Sequence, residues 1–390
     1  MKQKSSSIGA VFRSLMGDEK RQKITIPLLA ILLSLLAGAI VFLLLGKNPL
    51  TGYVSFLRGS GLVPKANYAA HKNMFTDFMS FVNAWTPMLF ASLAVAVAMR
   101  SGLFNIGVSG QMLLAGLAAT LTVGYSGLPA AVAKPLVLII CAVTGALVAS
   151  LIGFLKYKWN ISEVVSSIML NYIIRYWVSF CVKLPGISDP KTRQSMPINP
   201  NARLSLMDTE IFGLKIDIPL GIILALAAVF LIRFLFDKMR LGFEFRAIGA
   251  NPKAAKYAGI NVGRNLVASM AISGALAGLA GATYFLGYVG SIQPDTLIST
   301  GFDAIAVCVL GNSTPLGILL SSFFISVIDK GSTYMSSSVG VRQEIGALIK
   351  GLILLFSACG AYFSYLIERS RQKALESAGV TQSGKEEERV

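Results

Sequence analysis

Charge is scarce in this sequence. Asp, Glu, Lys and Arg make up 14% of the 390 residues, where soluble domains carry roughly 25%. The 54 charges (35 basic, 19 acidic), spread evenly, would interrupt the chain about every seven residues, yet uncharged stretches of 17 to 33 residues recur. Histidine is nearly missing: His71 stands alone, so His-based metal sites and Ser–His or Cys–His catalysis have almost nothing to draw on. The four cysteines, Cys141, Cys181, Cys308 and Cys359, lie in or at the ends of apolar segments without CxxC spacing. They read as thiols packing as small hydrophobes, not as a disulfide or metal framework. These shortages exclude an ordinary soluble enzyme, a disordered chain and a secreted disulfide scaffold.

What is plentiful is apolar sequence, 54% of the chain. A membrane span needs about 20 such residues. Clear spans fall at Ile24–Gly46, Phe78–Met99, Gly102–Gly124, Pro135–Leu155, Ser162–Val182, Ile218–Phe236, Asn265–Gly290 and Glu344–Ile367. The first follows six Lys or Arg and is too long for a signal-peptide core, so it reads as a retained helix with a cytoplasmic N-terminus. Walking outward from there puts 20 of the 35 basic residues in the cytoplasm and 12 outside, with Arg175, Arg233 and Lys350 inside spans. The net charge of +16 then belongs to loops facing anionic lipid, not to a nucleic-acid surface.

The stretch Phe302–Ile328 is uncharged after Asp303 but interrupted by Gly311-Asn312-Ser313-Thr314-Pro315. With both termini inside, the number of crossings is even, so this stretch must return to its own side as two short spans or a re-entrant pair. Lys183–Asp217 and Lys330–Arg342 become external loops, and a bulky residue at Ser205 should be tolerated. The expected architecture is an all-α polytopic membrane protein of about ten transmembrane helices. Gly102, Ile106 and Val108 align with Gly301, Ile305 and Val307, a hint of two inverted five-helix repeats with broken helices. Small residues at Gly145, Ala149 and Gly153, and at Gly274, Gly278 and Gly281, suit close helix packing within the subunit. The domains are a basic N-terminus over 1–23, a membrane domain over 24–367 and a charged tail over 368–390.

The cytoplasmic loop 238–264 carries the most local information. Asn251 suits an N-cap and Pro252 a first helical position, and Gly259 offers a left-handed stop. A short helix Pro252–Ala258 results, with Ala254 and Ala255 small enough to settle into a groove. Within the membrane, Asn83, Trp85, Asn105, Gln111 and Asp303 are candidates for a solute pathway, since polar groups there face partners or water. Each could equally hydrogen-bond a neighbouring helix. Glu163 suits a helix N-terminus. Arg175 needs a carboxylate or carbonyl partner that the sequence does not name.

The run Arg246-Ala-Ile-Gly-Ala-Asn-Pro-Lys-Ala-Ala-Lys-Tyr-Ala-Gly-Ile260 resembles the cytoplasmic coupling loop of ABC-importer permeases of the branched-chain amino acid and ribose class. Ser101-Gly-Leu-Phe-Asn-Ile-Gly-Val-Ser-Gly-Gln-Met-Leu-Leu-Ala-Gly116 is similar to the third span of that class. The Phe-Asn-Ile-Gly wording, Asn48-Pro49-Leu50, Glu163-Val-Val, Met169-Leu-Asn-Tyr172 and Gly301-Phe-Asp-Ala-Ile305 resemble its nucleoside-uptake branch. The resemblance covers about residues 25–367. It implies a multi-pass protein of the bacterial cell membrane that works with an ABC ATPase, a second permease subunit, identical or related, and an extracellular substrate-binding lipoprotein. It implies nucleoside cargo and a coupling role for Arg246, Gly249, Asn251, Ala254, Ala255 and Gly259. The chain itself would bind no cofactor, ATP and Mg²⁺ belonging to the ATPase. The one near-match to a phosphate-binding loop, Gly379–Lys385, is followed by Glu386 where Ser or Thr would bind Mg²⁺, and reads as chance. Two other classes compete: an ion-coupled secondary transporter using Asp303 or Glu163, and an intramembrane enzyme. A sugar or an amino acid is the alternative cargo of an ABC permease.

Overall fold

The computed structural model describes residues 19–360 other than Phe212, together with Tyr362, Tyr365 and Arg369. Most of the basic N-terminus and nearly all of the charged tail, with the Gly379–Lys385 near-match, lie outside the described residues. Among the described residues thirteen α-helices follow in order: α1 (Glu19–Leu44), α2 (Pro49–Gly59), α3 (Met74–Arg100), α4 (Val108–Ala119), α5 (Ala130–Trp159), α6 (Glu163–Val182), α7 (Gly221–Lys238), α8 (Arg240–Ala250), α9 (Pro252–Tyr257), α10 (Val262–Thr283), α11 (Thr300–Leu310), α12 (Pro315–Val339) and α13 (Glu344–Ala358). Wider π turns extend α4 through Thr120–Gly124 and α10 through Tyr284–Val289. Two compact units result, one holding α1 and most of α13, the other residues 47–347.

Among the described residues six helices, α1, α3, α5, α6, α10 with its π turn, and α12, are long and apolar enough to cross a membrane. The shorter apolar helices Val108–Gly124 and Thr300–Leu310 add to these, and α7 and α13 stand where the sequence places its sixth and last spans. In the first unit, α1 exposes Leu28, Leu32, Leu36 and Ile40, a four-residue stripe suited to lipid. In the second, α3 is the central helix: 89% of its apolar window is buried, against 33% for α5 and for α6.

The packing is reciprocal. Helix α3 packs against α10, α11 and α12, while α10 packs against α3, α4 and α5. The second span of each half thus lies on the third and fourth of the other, as two intertwined five-helix repeats require. Both third spans are short and follow non-helical crossings, residues 101–107 and 290–299. The three-residue echo is not the register of this repeat. Val108 opens α4, whereas Val307 lies seven residues after Thr300 opens α11.

Glycine makes the closest helix contacts. On α5, a Cβ added to Gly145 would strike the backbone of Gly274 and Gly278 on α10, and one on Gly278 would strike Cys141. The small faces of α5 and α10 therefore pack against each other within one subunit. All four cysteines are free thiols.

Three expectations are corrected. The broken stretch is not two short segments: α11 has 11 residues, roughly 16 Å of rise, but α12 has 25. Helix α12 absorbs Asp329 and Lys330, so the external loop thought to begin at Lys330 starts only after Val339. An antiparallel hairpin, β1 (Ser205–Ile211) with β2 (Leu214–Pro219), occupies the outer loop and turns at Gly213, φ +76°. Ser205 is buried there and donates to the Gly287 carbonyl at 2.7 Å, so it is no neutral site for bulk.

Candidate functional site

Residues 238–264, expected from sequence to face the cytoplasm, hold helices α8 and α9. Helix α8 turns back sharply on α7, since a Cβ on Gly242 would collide with the Leu235 carbonyl, and it buries Phe245 and Ile248. Asn251 caps α9 by accepting from the N–H groups of Lys253 (3.0 Å) and Ala254 (3.1 Å). Pro252 opens the helix and Gly259 leaves it at φ +80°, the geometry expected of cap and stop. The helix ends at Tyr257, one residue sooner than the sequence suggested.

The two neighbouring alanines part company. Ala255 is 4% exposed and packs inside the chain, whereas Ala254 is exposed. Both nonetheless line, with Ala258, Ala247, Ala250, Phe243, Arg240 and Glu244, a groove of about 430 Å³ at α8 and α9. Tyr257, 95% exposed, and Arg246 stand outward near it. Glu244 accepts from Arg240 at 2.7 Å and from Asn265 on α10 at 2.7 Å. These hydrogen bonds, Asn265 first, hold its carboxyl below the usual carboxylate range. Gly249 lies where a Cβ would press on the Arg100 carbonyl, and Gly102 sits opposite. Helix α8 thus touches the turn that leads into α4.

That turn is held by amides. Asn105 and Gln111 form a reciprocal pair, each amide donating to the other's oxygen at 3.0 Å. Asn105 also donates to Ser273 on α10 (2.9 Å), and Ser273 donates to the Ala94 carbonyl on α3 (2.6 Å). The first turn of a helix leaves N–H groups without intrahelical partners. Here the Asn105 oxygen accepts from Gly107 and the Asn171 oxygen of α6 from Gly110. Asn105 and Gln111 are 1% and 0% exposed. In this conformation they serve helix joining, the second of the two readings their chemistry allowed.

Trp85 donates to Ser322 of α12 at 2.8 Å and packs edge-on to Phe323. Asn83 is 6% exposed and, among the described residues, makes no hydrogen bond. Its oxygen faces Gly287 of the second π turn. Asp303 stands in the first turn of α11 and is partly exposed. Glu163, in the first turn of α6, pairs with Lys156 across the turn from α5 at 3.1 Å.

Arg175 finds its partner in the Asp295 carbonyl, 2.9 Å away. One and two turns further along α6, Ser179 and Lys183 each reach the Asp295 carboxylate at 2.6 Å. Asp295 is held at φ +58°. The Lys183 hydrogen bond, then that of Ser179, lowers its pKa. A carboxyl lowered on folding contributes stability that is complete above its unfolded range and is lost as pH falls through the lower, folded value. The 290–299 loop should therefore stay clamped to α6 at neutral pH and loosen as acid protonates Asp295, at a pH below that of an unpaired aspartate. In Asp295→Asn it should be loose at every pH. Limited proteolysis between pH 3 and 7 measures this, and equal cleavage of both proteins at pH 7 would count against the clamp.

Sequence reasoning missed Tyr284, Tyr288, Ser326 and Lys330. Lys330 donates to the Tyr288 hydroxyl at 3.0 Å and lies 5.0 Å from its ring centroid. The available signal was that Asp329-Lys330 continues an apolar helical pattern past Ile328 rather than ending it.

The family model described as "Branched-chain amino acid transport system / permease component" matches residues 78–358. The chain is 32% identical over 373 residues to the nucleoside ABC transporter permease protein NupB of Lactococcus lactis subsp. cremoris (strain MG1363), covering 93% of this chain and 98% of that one. It is 34% identical over 351 residues to the guanosine ABC transporter permease protein NupP of Bacillus subtilis (strain 168), covering 89% and 97%. It is 28% identical over 344 residues to the glucose ABC transporter permease protein TsgB13 of Haloferax volcanii, covering 86% and 87%. No solved structure matches. With its long apolar helices and its likeness to ABC permeases along nearly its whole length, the chain is an integral membrane protein of the branched-chain amino acid transport system permease family.

Proposed function

We propose that the chain is the membrane-spanning permease of an ATP-driven importer that carries nucleosides across the bacterial cell membrane by alternating access. Its likeness, along nearly its whole length, to two permeases named for nucleoside and guanosine transport carries this reading. The groove between α8 and α9 supports it, being a small-residue cleft with aromatic and basic edges, suited to gripping by a soluble ATPase. That ATPase binds ATP and Mg²⁺. A second permease, identical or related, completes the pathway, and an extracellular lipoprotein delivers the solute. Arg246, Gly249, Asn251, Ala254 and Gly259 form or shape the docking element. Asn83, Trp85 and Asp303 line the route, while Asn105 and Gln111 hold its wall.

The neutral amide of Asn83 suits an uncharged polar solute. A hydrogen-bonding site discriminates strongly against analogues that leave its buried groups unpaired. The complete transporter in proteoliposomes should import guanosine, adenosine or related nucleosides on addition of ATP and exclude their 5′-phosphates. The lone chain should hydrolyse no ATP. Uptake that persists without ATP under an intact ion gradient would transfer the protein to the secondary transporters. Preference for a sugar or branched-chain amino acid would overturn the cargo.

A further inference from the structure

Resting on the importer reading above, we propose that Asn265 is the joint through which movement of the gripped helices α8 and α9 reaches α10, a positioning residue that acts by way of Glu244. The Asn265 amide donates to one carboxylate oxygen of Glu244 at 2.7 Å, and Arg240 donates to the other at 2.7 Å. Asn265 gives its second amide hydrogen to the Asn261 carbonyl at 3.0 Å. Asn261 in turn caps α10 by accepting from the Arg264 N–H. Glu244 therefore holds the first turn of α10 at a point that is itself fastened. Among the described residues no other side-chain hydrogen bond joins α8 to α10.

The surroundings put the load on that bond. Glu244 lines the groove already described and, with Asn261, Arg264 and Asn265, a second cavity of about 310 Å³. With open space on two sides of the carboxylate, close packing does not lock α8 to α10 here. A hydrogen bond to an ionised group is roughly twice as strong as one between neutral groups, and Asn265 makes it while only 3% exposed. Beyond the joint lies a row of rungs. Residues four apart share one helix face, and Asn265, Ser269 and Ser273 form such a row on α10, all three buried. Ser269 meets the Ser101 hydroxyl at 2.7 Å, just past the end of α3. Ser273 donates to the Ala94 carbonyl and accepts from Asn105. A shift of Glu244 thus pulls on a line of bonded groups, not on apolar side chains that can slide.

The complete transporter in proteoliposomes, with ATP hydrolysis and nucleoside uptake measured on the same preparation, tests this. Asn265→Asp replaces an amide by a carboxyl of the same shape and sets it against the Glu244 carboxylate. Uptake per ATP hydrolysed should fall by roughly 10- to 100-fold, while the ATPase still co-purifies and hydrolyses ATP. Adding Glu244→Gln exchanges donor and acceptor across the joint, because the glutamine amide donates to the new carboxylate while its oxygen still accepts from Arg240. The double variant should regain coupled uptake. Undiminished uptake in Asn265→Asp overturns the proposal. A loss that the second substitution fails to rescue makes the residue structural and overturns it too, as does hydrolysis that falls in step with uptake. If Asn265→Asp does not reach the membrane, Asn265→Ser, too short to meet Glu244, should lower the same ratio, and a ratio left intact there refutes the joint. A wild-type transporter whose uptake needs no ATP refutes the importer reading itself, and the joint with it.

Discussion

Gly278→Leu should remove folded protein from the membrane almost completely. Overfilling a packed core ordinarily costs about 1–3 kcal/mol because side chains can shift. Here the obstacle is backbone: a Cβ at Gly278 meets the Cys141 carbonyl of α5, and its neighbour Gly274 meets the Gly145 carbonyl. To admit a leucine, α5 and α10 must separate, giving up their contact along several turns. The loss approaches the whole stability of a typical domain, about 5–15 kcal/mol. Gly351→Leu is the matched control, because Gly351 is also helical and apolar in setting but has nothing within 4 Å of its added Cβ. Detergent-extracted, monodisperse protein is the measurement. Comparable yields of the two variants would show that the α5–α10 seam is looser than its geometry.

Ala254→Trp should abolish uptake, by more than about 100-fold, while the permease still accumulates and folds. Ala254 is exposed and lines the α8–α9 groove, so an indole there fills the groove without displacing anything in this chain. The ATPase should no longer co-purify. Ala255→Trp, attractive from sequence, is a poorer test because Ala255 is already buried within the chain, and its failure would confound folding with docking. Bulk at the exposed outer residue Lys191 serves as the control, since Ser205 is buried. If Ala254→Trp retains its ATPase and its transport, the groove is not where the subunits meet.

Legibility from sequence followed the range of the physics. Spans depend on one additive property summed over about 20 residues, so Phe78–Met99 and Pro135–Leu155 emerged as α3 and α5 with ends extended by a few residues. The cap at Asn251 and the stop at Gly259 are local chemistry, and they appeared where expected. The short α4 and α11 were harder. Whether an apolar run stays helical from end to end depends on partners such as Asn171 and Ser109, which come from elsewhere in the chain or meet elements that do. The Asp329-Lys330 pair looked like the start of a loop because charge ordinarily ends a span. Only its tertiary partner, Tyr288, explains why the helix continues. For Asn105 and Gln111 the residue types were legible but their direction was not, since an amide suits a solute and a neighbouring helix equally well.

The amide knot around Asn105 also dictates where the protein can yield. Ser101 with Ser269, Asn105 with Ser273, and Ser273 with the Ala94 carbonyl act as rivets along one joint. They fasten α3, the turn into α4 and α10 into a single plate. Gly249 bears on the edge of that plate at Arg100 and Gly102, so force applied to the inner-face helices turns the plate as a whole rather than shearing it. Helix α12 joins that plate on α3 through Trp85 and Ser322, and further along it reaches Tyr288, after α10, through the flexible arm of Lys330. Amide exchange should divide accordingly, slow together across α3 and α10 and separately faster along the outer turns of α12.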